Sequence, residues 1–193
     1  MNTITSNFLT AKHWQIFLGF VLLVCTAVAA MLSSLLRSPE QVFDHMFPFL
    51  AVMEMFAIFF ALWVWSLGVF LNSIVPPHLR MKETFFRISV AFVPLYLPIF
   101  GIFFRSLNQS QNVRLILISV ALIIPLHFFA LFCQIYGWYF ASKAIALAES
   151  AQSVLFADYV GYFVGFWIFP VGVWIIQPRI NRLYASAVHP LSS

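Results

Sequence analysis

The sequence predicts an all-α, polytopic transmembrane helix bundle, and three observations support this fold class. Hydrophobic residues make up 63% of the 193-residue chain and charged residues only 8%, whereas a soluble domain usually has about 45–50% apolar and about 25% charged residues. Several apolar stretches reach the roughly 20 residues that a helix needs to cross a bilayer, and the mean hydropathy is +0.96. None of them alternates with the period of two that a membrane β-barrel requires. Water-soluble, disordered and disulfide-scaffold classes are therefore excluded.

Five apolar stretches define the predicted spans. They cover residues of about 14–36, 50–75, 86–104, 115–140 and 159–176. The connections are too short to hold a soluble domain, so residues 1–193 are predicted to form a single integral membrane domain. The first stretch also resembles a secretory signal, with a small-residue motif at Ala27-Val28-Ala29, but its apolar run continues through Leu36 and favours a span. If the first stretch is removed, or if the fifth re-enters the membrane instead of crossing it, four spans remain.

Local signals mark several span ends. Pro76 cannot continue a helix and ends the second span. Asp158 is predicted to cap the N-terminus of the fifth helix, and Pro178 is predicted to end that helix at the membrane surface. The segment 141–158 either extends the fourth helix or lies along the interface. Aromatic residues near span ends fit an interfacial belt; they are Trp14, Trp138, Tyr139 and Tyr159.

The distribution of Lys and Arg does not indicate which side of a five-span chain faces the cytoplasm. One side would hold Lys12, Arg80, Lys82, Arg87 and Lys143, and the other would hold Arg37, Arg105, Arg114, Arg179 and Arg182. The positive-inside rule places the side richer in Lys and Arg in the cytoplasm, and here it is tied at five each. A tie also arises when one span is miscounted.

His127 is the most deeply placed ionisable residue, because it lies thirteen residues after Arg114 and sixteen before Lys143. Ionisable groups at this depth are costly and mark functional sites. Gln134 follows seven residues later, on the same predicted helix face. This face is a candidate binding site for a solute, a proton or a quinone. The alternative is a neutral histidine that hydrogen-bonds to a neighbouring helix and fixes the packing.

Glu54 is a second candidate binding residue. The stretch from residue 55 to 75 already has twenty-one uncharged residues, so the helix is expected to begin after Glu54 and leave the carboxylate at the headgroups. If the helix begins near Phe47 instead, Glu54 lies about 10 Å inside the membrane. It would then need a partner such as Arg87 or His127.

The sequence carries no catalytic or metal-binding pattern. Clustered His, Asp or Glu side chains, as a hydrolytic metal site needs, do not occur, and nucleotide-binding glycine motifs are absent. A bis-histidine haem needs a second histidine within the spans, and only His127 lies there. A serine protease dyad within the membrane would pair a buried serine with His127. The predicted spans contain Ser66, Ser89 and Ser119, but nothing around them singles one out. Basic residues are spread singly, unlike a nucleic-acid-binding surface. We predict no cofactor, metal, catalytic residue or nucleic-acid partner.

Four segments carry a resemblance to a known family. They are residues 12–18 (KHWQIFL), Leu67-Gly68 with Leu71-Asn72, residues 124–127 (IPLH) and residues 169–182 (FPVGVWIIQPRINR). Together they resemble a family of small bacterial multi-pass membrane proteins of unknown function, in which the closing P-x-G-x-W-x-x-Q-P-R-I-N motif is the most specific. The resemblance implies a shared bundle but no activity. In the family an acidic residue often follows the Asp-Tyr pair, whereas Val160 follows Tyr159 here.

We therefore predict a small scaffold or accessory subunit of a membrane complex in the bacterial cytoplasmic membrane, with no catalysis of its own. Its predicted partners are the lipid bilayer and other membrane proteins or further copies of itself. Arg179 and Arg182 are predicted to contact lipid phosphates or a partner. One alternative is a transporter or channel for a small or apolar solute, centred on His127. A further alternative is an intramembrane enzyme or redox subunit.

Overall fold

The computed structural model describes residues 3–37, 46–109 and 112–188, and these residues form an all-helical bundle. The α-helices within them are α1 (Thr3–Thr10), α2 (His13–Arg37), α3 (Met46–Ile74), α4 (Glu83–Gln109), α5 (Val113–Ser150), α6 (Phe156–Trp167) and α7 (Phe169–Val188). Of these described helices, the four from α2 to α5 are long and apolar enough to cross a membrane. The predicted all-α membrane bundle is confirmed.

Helix α3 lies at the centre of the bundle. It packs against α1, α2, α4 and α5, and its Trp63, Leu67 and Leu71 side chains are completely buried. Apolar side chains gain little by leaving lipid for protein, so close packing is what holds membrane helices together. Aromatic rings supply much of this packing: the Phe20 ring of α2 meets the rings of Phe59 and Trp63 at centroid distances of 4.7 and 6.2 Å.

Helices α6 and α7 form an antiparallel hairpin that turns at Ile168. Gly165 of α6 lies so close to Gly172 of α7 that a Cβ atom on Gly172 would overlap the Gly165 carbonyl group. Farther from the turn, Arg179 Nη1 donates to the Tyr162 hydroxyl at 2.6 Å. In an antiparallel hairpin, residue pairs that are farther apart in sequence meet farther from the turn. The Gly165–Gly172 and Tyr162–Arg179 contacts follow this order, so α7 returns towards the side from which α6 enters.

The turn of this hairpin lies deep inside the bundle. The Phe169 ring, next to the turn, lies 3.8 Å from the Phe20 ring of α2, centroid to centroid, and also contacts Phe56 and Phe60 of α3. Phe60 is the central residue of the 29-residue α3, fourteen residues from Met46 and fourteen from Ile74. The turn is therefore near the middle of a hydrocarbon core that is about 30 Å thick.

The predicted fifth span at 159–176 is not one continuous helix, because α6 ends at Trp167 and α7 begins at Phe169 and runs back. Pro170 has no backbone N–H to donate to the carbonyl of Phe166, and it lies in the first turn of α7, where a proline costs least, so the sequence favours a new helix start here. The backbone N–H of Gly172 bonds to the carbonyl of Ile168 instead, at 3.1 Å. The described residues thus contain four membrane-length helices and a hairpin, which is the four-span alternative.

Two predicted boundaries also differ from the structure. Asp158 lies in the first turn of α6, where its Oδ2 accepts the backbone N–H of Leu155 at 2.7 Å, so it is not the N-cap residue. Helix α7 continues through Pro178 for ten further residues, as α4 and α5 continue through prolines of their own. The fourth predicted helix extends as far as Ser150, as one of the two alternatives for segment 141–158 required.

The hairpin changes how charge is distributed across the membrane. We call the end of the bundle where α2 begins and α3 and α5 end the near side, and the opposite end the far side. Because α7 returns, seven of the ten Lys and Arg residues belong to the near side; they are Lys12, Arg80, Lys82, Arg87, Lys143, Arg179 and Arg182. The remaining three, Arg37, Arg105 and Arg114, belong to the far side. The number of Lys and Arg residues, which is five on each side for five spans, is therefore seven on the near side and three on the far side.

Candidate functional site

A cavity of about 420 Å³ lies between α3, α4 and α5, and we call it the α3–α4–α5 cavity. Its walls are mainly apolar side chains. It extends along α3 from Phe49 to Val64, which is about 22 Å of helix. Its volume falls in the range of about 300–1,000 Å³ that is typical of small-molecule sites.

Three side chains bring polar groups to the cavity wall, namely Ser89 from α4 and Gln134 and Trp138 from α5. Ser89 is completely buried, and neither its Oγ nor the Nε1 of Trp138 has a hydrogen-bond partner among the described residues. The thiol of Cys133 is within hydrogen-bonding reach of Ser89, but a thiol is only a weak donor and acceptor, so Ser89 has no nitrogen or oxygen partner among the described residues. A buried polar atom without a partner costs about 1–3 kcal/mol. The two orphaned donors therefore mark the cavity as a candidate binding site.

The structure does not bring His127 and Gln134 into one site. Gln134 lines the cavity, whereas His127 is exposed on the outside of α5 and is not part of the cavity wall. His127 Nδ1 lies 2.7 Å from the hydroxyl oxygen of Tyr96 on α4. This is the hydrogen bond to a neighbouring helix that the sequence offers as the alternative. Tyr96 is the middle residue of the 27-residue α4, which places the pair near the middle of the bilayer.

Glu54 lies inside α3, which begins eight residues earlier, so the expectation that the helix begins after Glu54 is wrong. It lines a second cavity of about 280 Å³ between α3 and α4, and its Oε2 is buried without a hydrogen-bond partner among the described residues. The partners expected for it are engaged elsewhere: Arg87 forms an ion pair with Glu83 at 2.6 Å, and His127 bonds to Tyr96. A solute path centred on His127 would bring Glu54 and His127 together. In the structure these two residues line no common cavity.

The closing Gln-Pro-Arg-Ile-Asn segment joins α7 to α1 through its two amide side chains. Gln177 is completely buried, and its Oε1 accepts the indole N–H of Trp63 at 3.0 Å. Its Nε2 lies 2.8 and 3.0 Å from the carbonyl oxygens of Phe8 and Ala11, and Asn181 Nδ2 lies 3.1 Å from the Ala11 oxygen. A helix leaves its last carbonyls without partners, so the segment caps α1 and holds it against α3. The two amides lie on either side of Pro178, which is itself within α7.

Arg179 and Arg182 have different surroundings. Arg179 Nη1 lies 2.6 Å from the Tyr162 hydroxyl and 3.2 Å from Glu149 Oε1, so this side chain joins α7 to α6 and α5. Arg182 is exposed, and its Nε lies 3.4 Å from the Pro178 carbonyl of its own helix. The contact with lipid phosphates or a partner that is expected of both arginines stays a prediction.

Two polar residues of the cavity wall, Ser89 and Trp138, are not among the site residues that the sequence predicts. Ser89 is one of three span serines with nothing to single it out, and Trp138 is placed in the interfacial belt. In the structure the indole N–H of Trp138 is buried in the cavity wall. A serine within an apolar stretch is the available signal, but the face on which α4 meets α3 and α5 is fixed only by packing.

Comparisons with protein-family models, with curated proteins and with solved structures found no match for this chain. The resemblance of its segments to a family of small bacterial membrane proteins therefore stays a prediction. Within the described ranges, no three His, Cys, Asp or Glu side chains form a group that could hold a metal ion. The candidate site is thus defined by the geometry of the cavity and by the polar groups that reach it.

Proposed function

We propose that the protein is a non-catalytic accessory subunit of a membrane assembly, and that another membrane-spanning chain packs against the outer half of α5, residues 113–129. The observation that carries this proposal is the exposed imidazole of His127 near the middle of the membrane.

The outer half of α5 has little packing within the chain. The first buried residue of this helix is Ala130, and large apolar side chains such as Leu117, Leu122 and Phe128 are exposed before it. Lipid satisfies apolar side chains, so they need no protein partner. His127 differs from them because it is polar.

Ionisable residues within a membrane almost always face the interior of a bundle, yet His127 lies on the outer face of α5. The bond to Tyr96 occupies Nδ1 and leaves Nε2 without a partner among the described residues. An unpaired ring nitrogen in hydrocarbon is costly. A helix of a neighbouring chain that presents a polar side chain at this depth supplies the missing partner.

The protein belongs, in this proposal, to the bacterial cytoplasmic membrane, with its near side in the cytoplasm. The seven-to-three distribution of Lys and Arg supports this orientation through the positive-inside rule. The resemblance to a bacterial family supports the choice of membrane.

Replacing His127 with Leu should weaken the assembly about 3- to 30-fold, since interhelical hydrogen bonds in membranes are worth about 0.6–2 kcal/mol. The measurement extracts tagged protein from the host membrane in mild detergent and compares native mass and co-purifying proteins. Phe128→Leu, an apolar change next to His127, controls for altered packing and should leave the assembly intact. A wild-type particle that contains only one copy of this chain would contradict the proposal.

A further inference from the structure

We propose that the α3–α4–α5 cavity binds an apolar chain that ends in a carbonyl oxygen, as an acyl lipid does, and that Ser89 and Trp138 donate hydrogen bonds to this oxygen. This cavity is separate from the outer half of α5, residues 113–129, so the inference does not depend on the proposed function.

The shape of the cavity fits one extended chain. The cavity of about 420 Å³ is lined along α3 from Phe49 to Val64, so it is elongated along the helix and has room for a hydrocarbon chain. The cavity is also partly open to the outside of the bundle. At this depth the outside is bilayer, so a lipid chain can enter from the side.

The two orphaned groups define the polar end of the ligand. An indole N–H is a donor only, and a serine hydroxyl can donate as well as accept. Hydroxyls in helices usually bond to a backbone carbonyl of the preceding turn, as Ser142 does with the carbonyl of Trp138 at 2.5 Å and Thr26 does with that of Leu22 at 2.7 Å. Ser89 makes no such bond within the described residues. A carbonyl oxygen has two lone pairs and accepts from both donors.

The acceptor is uncharged. The described residues that line the cavity include no Lys, Arg, His, Asp or Glu. An anion placed there would lose its hydration without gaining a counter-charge, which is far more costly than burying a neutral oxygen. An ester or ketone oxygen meets this condition, and acyl lipids and prenylated quinones are two membrane sources of such an oxygen on an apolar chain.

Photolabelling tests the site directly. The full chain is placed in vesicles of phosphatidylethanolamine and phosphatidylglycerol that contain a phospholipid with a diazirine in its acyl chain. After illumination, mass spectrometry of peptides should find the label on cavity residues such as Met53 and Leu97. Ser89→Ala and Trp138→Phe should each lower this labelling about 2- to 10-fold, as expected for loss of one hydrogen bond.

Matched variants separate binding from general damage. Ser119→Ala and Trp167→Phe make the same chemical changes outside the cavity wall and should leave the labelling unchanged. Ala57→Phe fills the cavity without touching either donor, and it should abolish labelling of the cavity in a protein whose native mass is unchanged.

Label spread evenly over the outer surface of the bundle, or cavity labelling that none of the cavity variants lowers, would overturn the proposal. Cavity labelling that a prenylated quinone at a few mole per cent leaves unchanged supports the site and assigns it to acyl lipids. Loss of cavity labelling on addition of the quinone, although phospholipid is already in large excess, supports the same carbonyl site and assigns it to quinones.

Discussion

Replacing Gly172 with Ala should disrupt the α6–α7 hairpin. A Cβ atom at this position would overlap the carbonyl group of Gly165, and because that group is backbone, no side-chain rotation relieves the overlap. Overpacking costs about 1–3 kcal/mol, and we expect a loss at the upper end of this range. For a chain of this length the loss corresponds to a fall in Tm of about 6–12 °C, measured by thermal unfolding in detergent.

Gly161→Ala is the matched control for this prediction. Gly161 is also in the hairpin, but nothing lies within 4 Å of a Cβ atom placed on it. Alanine is favoured over glycine in a helix interior by up to about 1 kcal/mol, so the Tm should stay the same or rise. Equal Tm values for the two variants would contradict the close approach of α6 and α7.

Replacing Gln177 with Leu should release α1 from the bundle. The change leaves the N–H of Trp63 and the carbonyl of Phe8 without the partner that Gln177 provides. Each buried group that loses its partner costs about 1–3 kcal/mol, so we expect a loss of about 3 kcal/mol. Hydrogen–deuterium exchange in detergent should be faster in residues 3–10 than in the unmodified protein.

Two further variants define the role of this amide. Gln177→Glu keeps an oxygen for Trp63, but a carboxylate cannot donate to the carbonyls of α1 and a neutral carboxyl has one O–H in place of two N–H groups, so it should also speed exchange in that helix. Gln152→Leu removes an exposed glutamine from the α5–α6 connection and should have no effect on it. Unchanged exchange in α1 of the Gln177→Leu variant would show that the amide does not cap this helix.

The helical membrane architecture is readable in the sequence because it depends on length and composition alone. Four of the described helices carry apolar segments of 21 to 38 residues, and a bilayer leaves few alternatives for such segments. The hairpin is not readable in the same way, since residues 159–176 have the same composition whether the chain crosses or turns back. What distinguishes the two is the contact of Gly165 with Gly172 and the packing of the Phe169 ring between α2 and α3.

The candidate site is only partly readable for the same reason. Gln134 and Glu54 are conspicuous as polar residues within apolar stretches, and both line cavities. His127 is equally conspicuous and shares a helix face with Gln134, but it lies two turns away along α5, where that face meets Tyr96 of α4 and not the cavity. Ser89 and Trp138 become notable only once their neighbours are known to leave them without partners.

Cysteine accessibility decides whether the hairpin returns to the near side. In a background with Cys25 and Cys133 replaced by Ala, single cysteines are introduced as Val113→Cys at the far side, Ser153→Cys between α5 and α6, and Ser186→Cys near the end of α7. All three positions are exposed. Intact cells are then treated with a membrane-impermeant maleimide, before and after permeabilisation.

Four crossings and a returning hairpin predict that the cysteine at position 113 reacts in intact cells, whereas those at positions 153 and 186 react only after permeabilisation. The two near-side positions must behave alike, whichever compartment the near side faces. Reaction of the cysteine at 186 in intact cells while that at 153 stays protected would show that residues 159–176 cross the membrane, and would contradict the hairpin and the orientation derived from it.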